Sequence, residues 1–88
     1  MAWQIEFVPE AAKDLKKLGR AEAARIIRTL EDRIAALDDP RTLGAPLTGD
    51  LSGYWRWRIG DYRVVAQIED TRVLILVVRV AHRREVYR

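Results

Sequence analysis

Arginine and aromatic residues alternate in one short stretch, which reads Tyr54-Trp55-Arg56-Trp57-Arg58-Ile59-Gly60-Asp61-Tyr62-Arg63-Val64-Val65. A period-two alternation followed by Gly-Asp predicts a β-hairpin with a two-residue loop. That loop length places Ile59 opposite Tyr62. Arg58 then faces Arg63, and Arg56 lies on the same side of the sheet. Facing like charges cost a few tenths to about 1 kcal/mol, and a fold selected only for stability avoids them. The cluster therefore predicts an anion-binding site.

The net charge of +3 is distributed unevenly along the chain. Residues 1–53 carry eight Lys and Arg against nine Asp and Glu, whereas residues 54–88 carry eight against four. The second part contains arginine but no lysine, and the planar guanidinium group suits bidentate phosphate binding better than an ammonium group does. A basic balance that only keeps a small protein soluble is the alternative. The clustering favours a polyanion partner.

The other face of the hairpin is predicted to be core. Its side chains belong to Trp55, Trp57, Ile59, Tyr62, Val64, Ala66 and Ile68. The tryptophans alternate out of phase with the arginines, so we predict that they pack inside the protein rather than act in the site.

Two helices are predicted before the hairpin. Residues 2–8 alternate as a half-buried strand does, and Pro9 followed by Glu10 favours a helix start. Gly19 ends this first helix. Residues 21–37 repeat apolar side chains at spacings of three and four, which predicts a longer second helix. The two helices are expected to form an antiparallel pair.

A loop precedes the hairpin and a return strand follows it. Residues 38–53 contain prolines and glycines, and so long a loop in so small a domain suggests a functional role. Asp70-Thr71 predicts a second turn, after which residues 72–80 return as a strand that is apolar on both faces.

The return strand raises a question about coverage. In the simplest register, Leu74, Leu76 and Val78 share the face of Arg63, and we call these three residues the apolar row. Apolar surface beside the arginines needs cover, which a partner segment, a β-bulge or the C-terminal tail would provide. The sequence leaves these three alternatives open.

Chain length and composition limit the class of protein. Eighty-eight residues predict one domain, 1–88. A strand, two helices and an antiparallel meander in that order predict the α+β class. The chain has no cysteine and one histidine, so we expect no disulfide, no metal site and no cofactor, and a cytoplasmic location. The longest apolar run, residues 73–78, is too short to span a bilayer, so no membrane partner is expected.

The chain ends in a basic tail, His82-Arg83-Arg84-Glu85-Val86-Tyr87-Arg88. A three-stranded meander returns the end of its last strand to the neighbourhood of Arg58 and Arg63, so the tail is placed to complete a site. A frayed terminus is the alternative.

The run from Leu51 to Val64, together with His82-Arg83 and Val86-Tyr87, resembles the RelE/ParE superfamily of toxins from bacterial type II toxin-antitoxin systems, nearest its RelE branch. The resemblance covers nearly the whole chain. It implies a strand, two antiparallel helices and a three-stranded antiparallel meander. It also implies a toxin that inhibits translation by cleaving messenger RNA in the ribosomal A site and that a cognate antitoxin neutralises.

The same resemblance implies roles for individual residues. Arg63 corresponds to the arginine that grips the scissile phosphate, and Arg83 to the arginine after the last strand. Tyr87 corresponds to a tyrosine that stacks on the substrate or assists proton transfer. Arg56 and Arg58 occupy the place of a basic pair, and Arg84 is a further expected substrate contact. Both Arg63 and Arg83 are expected to be exposed.

Cleavage by attack of the ribose 2′-hydroxyl needs charge stabilisation on the phosphorane and a proton transfer. Guanidinium groups supply the first without a metal. Arginine is a poor proton shuttle, so His82, Tyr87 and Glu85 are the candidate acid or base. A structural role for His82 at the strand end is the alternative.

Two other functions compete with this prediction. The ParE branch resembles the same fold but inhibits DNA gyrase by binding, without a nuclease site. The combination of Arg63, Arg83 and Tyr87 argues against that branch. A small RNA-binding module without toxicity fits the charge distribution but not the tail motif.

Overall fold

A computed structural model describes residues 2–84 of the chain as two helices and a five-stranded mixed sheet. The elements in chain order are β1 (Gln4–Phe7), α1 (Pro9–Leu18), α2 (Arg20–Thr29), β2 (Ala45–Pro46), β3 (Trp55–Ile59), β4 (Tyr62–Glu69) and β5 (Leu74–His82). The strand order in the sheet is β1-β5-β4-β3-β2. β1 pairs in parallel with β5, and the other neighbours are antiparallel. The α+β class and the three-stranded meander are confirmed.

Both helices pack on one face of the sheet. Ala11 and Leu15 of α1 and Ile26 of α2 are buried in the same apolar cluster as Trp57 and Val64. All seven residues that the sequence assigns to the core face of the hairpin join this cluster, so that prediction is confirmed. The opposite face of the sheet carries the arginines.

The second helix differs from its prediction. Its α-helical part ends at Thr29, and the chain continues as a π-helical turn over Leu30–Ile34. The backbone N–H of Ala35 donates to the Leu30 oxygen at 2.7 Å. This wider turn brings Ala35 next to Leu30, and Leu30, Ile34 and Ala35 are all buried.

The hairpin has the predicted register. Arg58 pairs with Arg63 and Ile59 with Tyr62. Gly60 has φ 59°, and Asp61 is not among the residues with positive φ, so the loop is a type II′ turn. The Arg25 guanidinium of α2 lies directly against Gly60, where a Cβ atom would collide with it. Glycine is favoured here by its positive φ, and a larger residue would also displace the end of the Arg25 side chain.

The return strand begins later and ends later than predicted, at Leu74–His82 rather than 72–80. Asp70–Arg72 form a 3₁₀ turn, and Val73 leaves it with φ 48°, a left-handed conformation that is unfavourable for a β-branched residue. The pairing Val65 with Arg79 and Ala66 with Val77 leaves Val78 as the extra residue of a β-bulge.

The segment 38–53 is more ordered than its composition predicts. It contains two 3₁₀ turns, Pro40–Leu43 and Gly49–Leu51, and the short edge strand β2. The indole N–H of Trp57 donates to the Pro40 oxygen at 3.0 Å. A Cβ on Gly44 would lie 3.0 Å from that indole nitrogen, so a larger residue would be crowded between segment 38–53 and the sheet. Within residues 2–84, no helix is long and apolar enough to cross a membrane.

Candidate functional site

The arginine face is the surface of β3 and β4 that carries Arg56, Arg58 and Arg63. The structure brings these three residues onto one side of the sheet, as the pattern predicts. Their exposure differs. Arg58 is exposed and Arg56 is half-buried, whereas Arg63 is only 8% exposed. Arg58 is therefore the most accessible member of the cluster.

The expected exposure of Arg63 is wrong. Arg63 lies on β4, a central strand, with Arg58 beside it on β3 and Ala81 beside it on β5. Neighbours on both strands cover the methylene groups of a central residue, and long basic side chains bury such stems while directing the charged end outward. Arg63 thus belongs partly to the packing of this face.

Arg83 and Arg84 follow β5 directly, and both are exposed. The backbone N–H of Arg83 donates to the Asp61 oxygen at 2.8 Å. Because Asp61 is in the hairpin loop, this bond fixes the start of the tail beside the arginine face. The predicted return of the chain to the hairpin is confirmed up to this point. Tyr87, the remaining predicted site residue, lies outside the described residues.

His82 lies on the side of the sheet opposite to the arginine face. It pairs with Tyr62, and the two rings meet edge to face with centroids 5.8 Å apart. Tyr62 packs against the apolar cluster on the helical side of the sheet, and paired residues share a face. The His82 Nδ1 accepts a hydrogen bond from the backbone N–H of Arg84 at 3.3 Å. This geometry supports the structural alternative for His82.

The apolar row lies on the arginine face, but much of it is covered by the chain itself. Leu74 is fully buried, whereas Leu76 and Val78 are half-buried. Val78 packs in a second apolar cluster, whose buried members are Val65 and Ala81. Leu47 of segment 38–53 and Tyr54, which follows that segment, pack against the same cluster. The bulge is one of the covers expected from the sequence, and the contribution of Leu47 and Tyr54 was missed.

Arg41 holds the segment 38–53 against the sheet. Its guanidinium forms a bidentate pair with Asp70, with Nη1–Oδ1 at 3.1 Å and Nη2–Oδ2 at 2.8 Å. It also contacts Asp39 at 3.2 Å and lies 5.7 Å from the centre of the Trp55 ring. Arg41 was not singled out from the sequence, since its partner Asp70 is distant along the chain.

Mutual stabilisation shifts both groups of this pair. The hydrogen bonds from Arg41 lower the pKa of the Asp70 carboxyl, and those to Asp70 raise the pKa of Arg41. Arg41 is therefore occupied by internal partners, whereas among residues 2–84 the side chains of Arg58 and Arg83 have no ion pair.

The described part of the chain contains no cluster of three or more His, Asp or Glu side chains able to hold a metal ion. What the arginine face offers is positive charge and hydrogen-bond donors arranged on a rigid sheet. Such a surface is suited to binding phosphate groups and to stabilising charge that develops on them.

Comparison with known proteins places this geometry in a family context. Residues 5–87 match the family described as ParE toxin of type II toxin-antitoxin system, parDE. The chain is 30% identical over 88 residues to toxin RelG of Mycobacterium tuberculosis, covering 100% of this chain and 99% of that protein. It is 34% identical over 86 residues to toxin RelE of the same organism, covering 98% of this chain and 87% of that protein.

Solved structures show the same architecture. The toxin-antitoxin complex RelBE2 of Mycobacterium tuberculosis contains a chain with TM-score 0.85 and 27% identity, covering 97% of this chain and 95% of that one. The archaeal RelE-RelB complex of Pyrococcus horikoshii gives TM-score 0.66 and 25% identity, covering 98% and 100%. The RelBE complex of Escherichia coli, at TM-score 0.69 and 23% identity over 92% and 96%, shares the fold.

Proposed function

This chain belongs to the ParE toxin family of type II toxin-antitoxin systems, and on that premise we propose that it is a ribosome-dependent endoribonuclease that cleaves messenger RNA in the ribosomal A site. The observation that carries the proposal is the arginine face, where three arginines share one side of a hairpin with Arg83 beside its loop. The similarity to toxins named RelG and RelE supports the same branch.

The proposed reaction is an in-line displacement at phosphorus. The ribose 2′-hydroxyl gives up its proton as its oxygen bonds to the adjacent phosphorus, the bond to the 5′-oxygen of the next nucleotide breaks, and that oxygen takes up a proton. The products are a 2′,3′-cyclic phosphate and a 5′-hydroxyl. Arg63, Arg58 and Arg83 stabilise the charge of the phosphorane, with Arg56 and Arg84 as further phosphate contacts. No metal ion is required for this step.

The proton transfers need a different group, because arginine does not release its proton at neutral pH. Tyr87 and Glu85 are the proposed candidates. His82 is the weaker candidate, because it packs against Tyr62 on the helical side of the sheet. For His82 to act on a phosphate at the arginine face, it would have to leave that contact.

The proposed partners are a cognate antitoxin, the ribosome and messenger RNA. Solved relatives include the complexes RelBE2 and RelE-RelB, which support an antitoxin partner for this chain. The positive charge of the arginine face suits an acidic protein partner as well as RNA. A cytoplasmic location follows from these partners as part of the proposal.

A second candidate function rests on the family description, which names ParE. A toxin of that kind inhibits DNA gyrase by binding and requires no phosphate-cleaving site. The arginine face makes this function the less favoured one.

One experiment separates the two functions. Purified protein is incubated with ribosomes programmed with messenger RNA, and in parallel with gyrase and relaxed plasmid. We expect cleaved messenger RNA with 2′,3′-cyclic phosphate ends and unimpaired supercoiling. Inhibited supercoiling with intact messenger RNA would overturn the proposal in favour of gyrase binding.

The variant Arg83→Ala links the cleavage to the site. Arg83 is exposed, so its truncation leaves the packing unchanged. Loss of one group that stabilises transition-state charge should reduce cleavage by about 10²- to 10³-fold. Equal growth arrest by Arg83→Ala and the parent protein would argue against a role for this residue.

A further inference from the structure

A small pocket lies at the unpaired edge of β3, next to the arginine face. β2 pairs only with Trp55 and Arg56, so the last residues of β3 have no strand beyond them within the described range. The pocket measures about 180 Å³. It is lined by Thr29, Arg33, Ile34, Leu43, Trp57 and Arg58.

The charges around this pocket are unbalanced. No carboxylate lines it. Within residues 2–84, neither Arg33 nor Arg58 enters an ion pair or a side-chain hydrogen bond, while Arg41 and Arg79 each contact an aspartate. Two arginines that line one small volume bring like charges into the same region, which an entering anion would balance.

Size and chemistry limit what that anion can be. Pockets for whole small molecules measure about 300–1,000 Å³, and this one is smaller. The hydroxyl of Thr29 already donates to the Arg25 oxygen at 2.9 Å, so the guanidinium groups are the donors that remain. Leu43, which is 55% exposed, adds an apolar wall at the rim. A phosphate group with part of its ribose fits this description.

Arg58 connects the pocket to the arginine face. On the sheet it pairs with Arg63, and at the edge it lines the pocket together with Arg33. Three arginines thus form a track across the surface. Arg63 lies on a central strand, Arg58 at the edge of β3, and Arg33 in the helical layer. A chain of regularly spaced phosphates follows such a track, whereas a protein partner would have to supply carboxylates at matching intervals.

We propose that Arg33 and Arg58 bind a second RNA phosphate, which lies next to the nucleotide held at the arginine face. The identification of the polyanion as RNA rests on the proposed function. The phosphate belongs either to the messenger RNA or to ribosomal RNA, and the two sources share the same chemistry. Arg33 is a binding residue in this proposal, and it has no part in the reaction itself.

The test compares Arg33→Gln with Arg28→Gln, an exposed arginine on the same helix that does not line the pocket. The first arm measures affinity for a labelled single-stranded RNA whose 2′-hydroxyls are methylated to prevent cleavage. The second arm measures affinity for ribosomes without messenger RNA. A third variant, Arg33→Lys, keeps the charge and removes the bidentate fork. Melting temperatures of all variants report on folding.

In at least one arm we expect Arg33→Gln to weaken binding by roughly three- to tenfold and to reduce the slope of log affinity against log salt by about 0.7. Arg28→Gln should match the parent, and Arg33→Lys should keep the slope with intermediate affinity. The arm that responds identifies the source of the phosphate.

Equal binding by Arg33→Gln and Arg28→Gln in both arms would overturn the inference. So would a loss confined to antitoxin affinity, which would assign the pocket to a protein carboxylate. Failure of the proposed function has a different signature. A parent protein that binds RNA through Arg33 but leaves messenger RNA intact on ribosomes would retain the pocket and refute the nuclease.

Discussion

Arg58 and Arg63 face each other across the hairpin but experience different surroundings. Arg58 is exposed on a strand near the sheet edge, whereas Arg63 is 8% exposed on a central strand. Truncating Arg63 therefore removes packed methylene groups together with a charge, and a rise in stability is not expected from that change. Arg58 is the residue at which charge and packing can be separated.

We predict that Arg58→Gln stabilises the protein while it impairs cleavage. Removal of the charge opposite Arg63 relieves a repulsion worth a few tenths to about 1 kcal/mol in the free energy of unfolding. The same change removes a phosphate contact, so messenger RNA cleavage on ribosomes should fall at least tenfold. Urea unfolding and a cleavage assay measure the two effects.

Arg28→Gln serves as the control, since it removes an exposed arginine that has no cross-strand arginine. Arg28→Gln should change neither the free energy of unfolding nor the cleavage of messenger RNA. A lower free energy of unfolding for Arg58→Gln than for the parent would show that the facing arginines are not a source of strain.

At the scale of single residues, the sequence predicts side-chain direction better than burial. Period two places Arg58, Arg63 and the tryptophans on their correct faces, because alternation along a strand is local. The burial of Arg63 depends on Ala81, which lies beside it on β5. A β-bulge sets the pairing of these two residues, and no local sequence pattern predicts that bulge. Period two along β5 would place His82 on the face of Leu76, but the bulge at Val78 reverses the alternation and directs His82 to Tyr62 on the helical side.

Among the elements, β5 extends well beyond its parallel partner β1. Beyond the end of β1, the Val8 N–H still donates a backbone hydrogen bond to the Val77 oxygen of β5. The next donor needed on this edge, the Val80 N–H, is satisfied by the Asp14 carboxylate of α1 at 2.9 Å. Arg79 adds a weaker contact, with Nε 3.6 Å from the same oxygen. Asp14 thus fastens α1 to the open edge of the sheet.

We predict that Asp14→Ala lowers the free energy of unfolding by about 1–3 kcal/mol, because it leaves a partly buried N–H without an acceptor. Asp14→Asn retains a side-chain oxygen and should lose much less. Chemical denaturation of both variants, with Lys13→Ala as a surface control, measures the difference. Equal losses for Ala and Asn would mean that the charge, rather than the hydrogen bond, matters at this position.

The segment 38–53 is anchored by Arg41 and Asp70, and this anchor should depend on pH. The pKa of Asp70 is lowered by its hydrogen bonds to Arg41. When folding lowers the pKa of a carboxyl group, its full contribution to the stability of the folded protein is present above the unfolded-state pKa of about 3.9. That contribution is lost as the pH falls through the lower pKa of the folded state.

We therefore predict that Asp70→Asn lowers the melting temperature by the same amount at about pH 5.5 and about pH 7.5, and by less below about pH 4. Differential scanning calorimetry across this range measures it. Asp50→Asn, a change at an exposed aspartate outside the described ion pairs, is the matched control. A difference that persists unchanged at about pH 3 would show that the Asp70 charge does not contribute.

At the scale of the whole molecule, the order of elements and the choice of core follow from the sequence, and the associations between distant elements do not. Hydrophobic period and turn residues are local, so they locate the helices, the hairpin and the meander. The placement of β1 beside β5 joins residues about seventy positions apart. The ordering of segment 38–53 requires the indole of Trp57 and the carboxylate of Asp70 as long-range partners.

The candidate site likewise has one part that the sequence predicts and one part that it does not. The arginine face is a product of one hairpin and was predicted with its register. The pocket of Arg33 and Arg58 joins a π-helical turn to a strand edge, so no sequence pattern indicates it. Sites assembled from one local motif are accessible to sequence reasoning, whereas sites that form between layers need the fold.

The arginine face and the uncovered part of the apolar row together form a surface that a partner can contact. Leu74 is buried, so Leu76 and Val78 are the members that a partner can contact. Leu76 lies between Glu6 on β1 and Gln67 on β4, which gives it a polar rim. An apolar strip rimmed by polar residues is typical of protein-binding surfaces.

We predict that the antitoxin covers Leu76 with apolar side chains and neutralises the arginine face with carboxylates, which would block RNA by charge and by bulk. Leu76→Asp should then weaken antitoxin binding at least tenfold, because it places a like charge and a polar group in the apolar contact. Leu51→Asp, which makes the same change at an exposed leucine of segment 38–53, should have little effect. Calorimetric titration measures both affinities, and circular dichroism verifies folding. Unchanged affinity in a folded Leu76→Asp variant would place the antitoxin elsewhere on the molecule, and the arginine face would then have to be blocked indirectly.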